Sequence, residues 1–276
     1  MSVAPAPAKI NLALVVGPLR EDGRHEVATV LQGLDLADTV SLERTPGLRV
    51  TGFAEDTIVA LALTRLAETA GVEPDWHVHI EKRIPLAAGL AGGSTDAATA
   101  LRLANDTLPE PLAEEALRAL AAGVGADVPF FLASGSQLGT GDGTVLEPLD
   151  LPLDYHVVLM LPEGEAKEST AAVYAEFDRR HGADGFEERR RQLIDALARV
   201  REPRDIAVLP PNDLAYSPLA QDLSRLGAFR ADVSGAGPAV YGLFHDEETA
   251  QSCAAQLRDA GAVMVISPAR GTVAPR

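Results

Sequence analysis

The stretch Pro85-Leu86-Ala87-Ala88-Gly89-Leu90-Ala91-Gly92-Gly93-Ser94-Thr95 carries little side-chain volume, and such a run limits what can stand on either side of it. Before it, Val78 and Ile80 alternate with His77, His79 and Glu81, the period of a half-buried strand that Pro85 brings to an end. After it, Ala97, Ala98 and Ala104 begin a helix. Glycines reach positive φ and remove the Cβ atoms that keep an anion from the backbone. Ser94 or Thr95 is the expected N-cap of a helix whose free N–H groups and dipole attract negative charge. The run therefore suits a polyphosphate. Its alternative is a tight connector whose glycines only bring the alanines close to a sheet.

Two common phosphate loops do not fit. A Walker loop needs Gly-Lys-Ser/Thr, whereas Ser94 follows Gly93 directly, and Gly89, Gly92 and Gly93 do not make the Gly-x-Gly-x-x-Gly dinucleotide spacing.

With 276 residues and 46% hydrophobic residues the chain can bury two modest cores or one large one. No apolar run reaches the ~18 residues of a membrane span. The start, Met1-Ser2-Val3-Ala4-Pro5-Ala6-Pro7, has neither a basic nor an apolar signal region, so a cytoplasmic protein with no membrane partner is expected. The single Cys253 excludes an internal disulfide and falls on the apolar side of an expected helix. A net charge of −16 argues against a nucleic-acid surface. Any anionic ligand must then meet a few local cations, and the three lysines, Lys9, Lys82 and Lys167, stand out against 21 arginines as places where a compact ammonium is wanted.

Ile10, Leu12, Leu14 and Val16 form a strand whose other face carries Lys9 and Asn11, read either as a solvated face or as a paired polar site. A turn at Asp22-Gly23-Arg24 sets His25 at the next strand start. Asp56 is the expected cap of a helix bearing Val59, Leu63 and Leu66, and a second helix over Leu112–Ala122 ends at Gly123. Asp127, between apolar neighbours just after Gly125, is either an acid at a buried helix start or an N-cap. A hairpin is expected around Gly141-Asp142-Gly143, and a domain boundary near residue 152. Beyond it, Phe229, Ala231 and Val233 alternate into a second small-residue loop, Ser234-Gly235-Ala236-Gly237-Pro238, within what reads as an antiparallel sheet backed by helices.

Taken together, Pro7-Ala8-Lys9-Ile10-Asn11-Leu12, the run from Ile84 to Thr95, and Ser234-Gly235-Ala236-Gly237-Pro238 resemble the motifs of the GHMP kinases, named after galactokinase, homoserine kinase, mevalonate kinase and phosphomevalonate kinase. Asp22-Gly23-Arg24-His25, Gly125-Ala126-Asp127-Val128-Pro129-Phe130 and Asn212-Asp213 are similar to the branch whose acceptor alcohol carries a cytidine diphosphate. The resemblance implies an α+β, two-domain GHMP kinase fold, with an N-terminal ATP-binding domain over 1–152 and a C-terminal ferredoxin-like domain over 153–276. It implies ATP as phosphoryl donor to one small-molecule substrate, in a monomer or homodimer.

The resemblance also assigns roles. Asp127 is the general base and Lys9 its charged partner, while Pro85 to Thr95 hold the triphosphate. Mg2+ is bound mainly through phosphates, without a dedicated protein cage. Asn11, Arg24, His25 and Tyr174 face the acceptor, and Ser234, Gly235, Ala236 and Gly237 lie beside phosphate. Three departures stand out. Arg24 replaces a tyrosine, so its planar guanidinium is the expected stand-in for a ring against cytosine. Leu86-Ala87-Ala88-Gly89-Leu90-Ala91 is poorer in glycine than the family run, and Lys167-Glu168 replaces smaller residues.

Overall fold

A computed structural model describes residues 1–53, 58–133, 135–163 and 169–269; the expectations for Asp56, Lys167 and Glu168 fall outside them. The chain divides into two compact units: Met1–Ala8 with Leu36–Leu86 and Ala91–Ser134, and Lys9–Asp35 with Ala87–Leu90 and Gly135–Arg276. Strands β1 (Ser2–Leu19) and β2 (His25–Arg44) each contribute residues to both.

In the first unit the later half of β2 pairs antiparallel with β4 (Trp76–Glu81), Val40 opposite Ile80 and Leu42 opposite Val78. The short β3 (Arg49–Thr51) adds in parallel to the other edge of β4. Helices α1 (Ile58–Ala70) and α2 (Gly92–Asn105) pack on one another, with α3 (Glu114–Val124) and a 3-10 turn over Pro129–Leu132 alongside. The alternation read from Val78 and Ile80 is the observed one: Trp76, Val78 and Ile80 are buried, and Val59, Leu63, Leu66, Ala97, Ala98, Leu101 and Ala104 complete the core. Small side chains make the close α1–α2 approach possible. Helix α3 runs through Gly123 to Val124, one residue past the expected stop, and Gly125 caps it in an extended conformation.

The second unit carries a four-stranded antiparallel sheet, β7 (His156–Pro162), β8 (Arg230–Val233), β9 (Val240–Phe244) and β10 (Gly261–Ile266), in the order β10-β7-β9-β8. Helices α4 (Thr170–Arg179), α5 (Phe186–Leu197) and α6 (Pro218–Arg225) come between β7 and β8, and α7 (Glu247–Gln256) between β9 and β10, which gives the ferredoxin-like topology. Val158, Met160, Leu223, Val240, Phe244 and Cys253 share its core, so the cysteine packs where its helical phase put it. The expected hairpin is β5 (Ser136–Thr140) and β6 (Val145–Leu149), with β5 pairing to β2 through Thr29–Leu31.

Sequence reading followed the apolar side of β8 and missed its other side, where Arg230 and Asp232 are also buried. The Arg230 guanidinium donates to the carbonyls of Leu209 (2.7 Å), Pro210 (2.9 Å) and Ile206 (3.3 Å) and lies 3.3 Å from Asp232. Burial raises the Asp232 carboxyl above its usual range although Arg230 pulls it down. Arg230→Met is expected to cost about 3–5 kcal/mol, because it strands a buried carboxylate and three carbonyls. With its cation gone, Asp232 holds its proton to still higher pH, and a carboxyl raised on folding loses stability as pH rises through that window. Urea unfolding should therefore show a larger deficit at pH 8 than at pH 5; equal deficits would contradict it.

Candidate functional site

Within the second unit the polar face of β1 is buried, not solvated: Lys9 and Asn11 are 3% and 5% exposed. A buried ammonium needs acceptors. Lys9 Nζ donates to Asn11 Oδ1 at 2.7 Å, Asn11 Nδ2 donates to Thr29 Oγ1 at 2.8 Å, and that hydroxyl donates to the Ala13 carbonyl. The Lys9 N–H reaches the Leu90 carbonyl, so the glycine-rich run is tied to β1 beside this side chain.

The two small-residue loops meet here. Ser234 Oγ donates to the Gly89 carbonyl at 3.1 Å, and the Ala239 N–H donates to the Ala88 carbonyl at 3.0 Å. Gly89 has φ +83°, and a Cβ on it would stand 2.2 Å from the Ser234 carbonyl oxygen. A Cβ on Gly235 would lie 3.6 Å from Lys9 Nζ and 3.5 Å from Asn11 Oδ1. Lys9, Asn11, Gly89, Ser234 and Gly235 thus form one cluster drawn from three separated motifs.

In the first unit, α2 starts at Gly92 and its N-cap is Ala91, at φ +58°. Ser94 and Thr95 do not cap it, contrary to expectation; the left-handed Ala91 takes the cap position and places both inside the first turn, leaving no side-chain cap hydrogen bond. The N-terminal amides are therefore not covered by a capping side chain, as an anion site requires. Thr95 Oγ1 and Asp96 Oδ1 are buried there without a hydrogen-bond partner.

Beside this turn stands a charge cluster that the sequence showed only as an isolated lysine. Lys82 Nζ bonds Asp38 and, at 2.7 Å, Asp96; Asp38 also accepts the N–H groups of Arg83 (2.5 Å) and Ile84 (2.8 Å). A Cβ on Gly92 would be 3.2 Å from Lys82 Nζ. One ammonium cannot neutralise two buried carboxylates. The pair holds the Lys82 ammonium's pKa up, whereas burial pushes the Asp96 carboxyl up to about 7 against the pull of Lys82.

Asp127 lies half-buried in the turn before the 3-10 segment, next to Val128, which holds that segment's cap position. In the second unit, the His25 and Tyr174 rings stack with centroids 4.7 Å apart and 29° between planes, Phe177 sits edge-on to His25, and His25 Nε2 is 2.9 Å from Asp178 Oδ1. The Arg24 guanidinium, expected as a flat partner for a base, is paired with Asp142 at 2.5 Å.

Two outcomes follow from this geometry. Ala91→Gly should leave stability unchanged or raise it by up to about 1 kcal/mol, since the native φ is left-handed, whereas Gly89→Ala should destabilise by more than that; equal melting shifts for the two would remove the argument. Because the Asp96 carboxyl moves from 3.8 to about 7 on folding, stability should decline as pH climbs across that interval and level off above it. Asp96→Asn should flatten this slope in melts taken between pH 5 and pH 8; a slope that survives the substitution belongs to another group.

Comparison with known proteins gives two matching family models: "GHMP kinases N terminal domain" over residues 56–135 and "GHMP kinases C terminal" over residues 183–263. A 4-diphosphocytidyl-2-C-methyl-D-erythritol kinase of Nocardia farcinica is 39% identical, over 97% of this chain and 93% of its own. One of Gloeobacter violaceus is also 39% identical, over 91% and 88%. The crystal structure of a 4-(cytidine 5'-diphospho)-2C-methyl-D-erythritol kinase superposes with TM-score 0.77 at 30% identity, covering 98% of this chain and all of that one. A mevalonate kinase structure reaches the same TM-score at 14% identity, a likeness of fold alone.

Proposed function

This chain belongs to the 4-diphosphocytidyl-2-C-methyl-D-erythritol kinases, a branch of the GHMP kinases, and we propose that it transfers the γ-phosphate of ATP to the 2-hydroxyl of that cytidylyl alcohol, in the non-mevalonate route to isoprenoid precursors. The observation that carries the reading is the buried Lys9–Asn11 pair, bonded to the glycine-rich run and lying against the Ser234–Gly237 loop. An acidic protein of net charge −16 has no general attraction for a triphosphate, so its cations must be placed. Cytoplasmic location suits a chain whose described residues include no helix long and apolar enough to cross a membrane. A division near residue 152 suits family matches that fall on either side of it.

Phosphoryl transfer asks the protein for position and charge more than for covalent chemistry. Asp127 takes the proton of the attacking hydroxyl, and Lys9 balances the charge that develops on the acceptor. The run from Pro85 to Thr95 receives the triphosphate through backbone N–H groups, with the uncapped first turn of α2 as its anchor. The Ser234–Gly237 loop lies beside the transferred phosphate, and the Tyr174–His25 stack with Asn11 serves the acceptor.

Mg2+ fits this chain as an ion held mostly by phosphate. Among the described residues no three His, Cys, Asp or Glu side chains converge, while Thr95 Oγ1 and Asp96 Oδ1 are hard oxygen donors without partners. When bound, the ion screens the charge of the phosphate oxygens.

A second reading, a related kinase of another small alcohol, is favoured by two contacts: Arg24 is engaged with Asp142, and the His25 edge with Asp178. ATP consumption by purified protein with the cytidylyl alcohol, with mevalonate-type alcohols and with no acceptor separates the two. Turnover with a base-free alcohol alone sinks the first reading. Asp127→Asn and Lys9→Ala should each lower kcat by about 100- to 10,000-fold and leave the Kd for ATP within about threefold. Near-full turnover of folded Asp127→Asn would remove the base.

A further inference from the structure

We propose that Asn212 is a positioning residue for phosphoryl transfer, whose carboxamide holds the Ser234–Gly237 loop in register with Lys9 and Gly89; the proposal rests on the kinase reading above. Asn212 is 8% exposed. Its Nδ2 donates to the carbonyls of Val233 (2.9 Å) and Gly235 (2.7 Å), and its Oδ1 accepts the Leu214 N–H at 2.8 Å. Its own N–H donates to Asp232 Oδ2 at 2.9 Å, the carboxylate beside Arg230. The next residue grips β1: the Asp213 N–H donates to the Leu14 carbonyl, and Asp213 Oδ2 accepts the Val16 N–H, both at 2.9 Å. The dipeptide therefore fastens the loop with one residue and the strand bearing Lys9 and Asn11 with the other.

The loop needs such a hold. Gly235 and Gly237 sit at φ +57° and +75°, and glycine has little preference of its own to keep them there. The Gly237 N–H donates to the Ser234 carbonyl and the Ser234 N–H to the Ala239 carbonyl across the base of the loop, but neither bond holds the Gly235 carbonyl. Without Asn212 the Gly235 carbonyl loses its donor, and Gly235 is the residue lying against Lys9 Nζ and Asn11 Oδ1. A displacement of about 1 Å at such a place costs on the order of 100-fold in rate while leaving the fold intact.

Asn212→Asp and Asn212→Ala separate positioning from packing. Asn212→Asp keeps the acceptor for Leu214 and replaces the two donated bonds by repulsion between oxygens; Asn212→Ala removes both. At pH 8 kcat should fall at least about 30-fold in both, with KM for ATP within about threefold of wild type. As pH is lowered, Asn212→Asp should regain activity relative to wild type, because a protonated carboxyl again donates to a carbonyl, while Asn212→Ala should not. The charged groups around the substituted position are Asp232, paired with Arg230, on β8, Asp213 beside it, paired with Arg189 of α5, and Lys9 beyond Gly235; with both acids so paired, burial and the facing carbonyl oxygens favour the protonated form. Should Asn212→Ala fail to fold, Asn212→Ser, whose hydroxyl can serve one carbonyl, should give an intermediate kcat. Full kcat in any folded variant, or the same flat pH ratio in the Asp and Ala variants, overturns the role of Asn212. A wild type that phosphorylates no alcohol overturns the kinase reading itself.

Discussion

The Ser234 carbonyl oxygen stands where a side chain at position 89 would have to begin. That contact forces glycine at 89, sets the spacing of the two small-residue loops, and lets the Ser234 hydroxyl and the Ala239 N–H bind the backbone of the first loop. It also fixes where Lys9 can be, since the Lys9 N–H bonds Leu90, one residue on. Side chains then adapt to a backbone arrangement that leaves them little choice. Ala87 and Ala91, both left-handed at φ +54° and +58°, show how far: the run keeps its shape even where alanine has replaced the residue best able to adopt it.

Three buried or half-buried cations of this acidic chain follow one rule. Lys82 has two carboxylates, Arg230 has three carbonyls and a carboxylate, and Lys9 has the Asn11 amide oxygen. Each is met by oxygen acceptors held in place by the surrounding fold. Desolvated charge is costly, so a cation kept in such a place must be met by fixed acceptors. The unequal outcome at Asp96, raised to about 7 while its lysine stays charged, is the residue of that cost.

Local pattern was a good guide wherever one face of an element is apolar. The strand at Val78 and Ile80, the helix holding Cys253 and the alternation of Ala231 and Val233 follow periods visible in the sequence; the hairpin near Asp142 was marked by its Gly-Asp-Gly turn, and the ferredoxin-like order was implied by the family resemblance. The pattern was silent where a polar residue is buried by partners distant in sequence. Asp38 and Lys82 are 44 residues apart, and His25 and Asp178 are 153 apart, so neither pairing has a local signature. Lys9 and Asn11 look the same from sequence on a solvated strand and in a sealed one. Ser94 and Thr95 had the chemistry of caps, but backbone conformation at Ala91 decided the matter.

The strand order β10-β7-β9-β8 also bears on how the chain is made. Strand β7 pairs with β9 on one side and with β10 on the other, Val158 opposite Val265 and Met160 opposite Val263. During synthesis the apolar segment Val157 to Leu161 is therefore complete about a hundred residues before its second neighbour exists. An unpaired, hydrophobic edge is a template for joining another chain. Until residues 261–266 have left the ribosome, the nascent protein carries that open edge, which is where a chaperone would have most to protect.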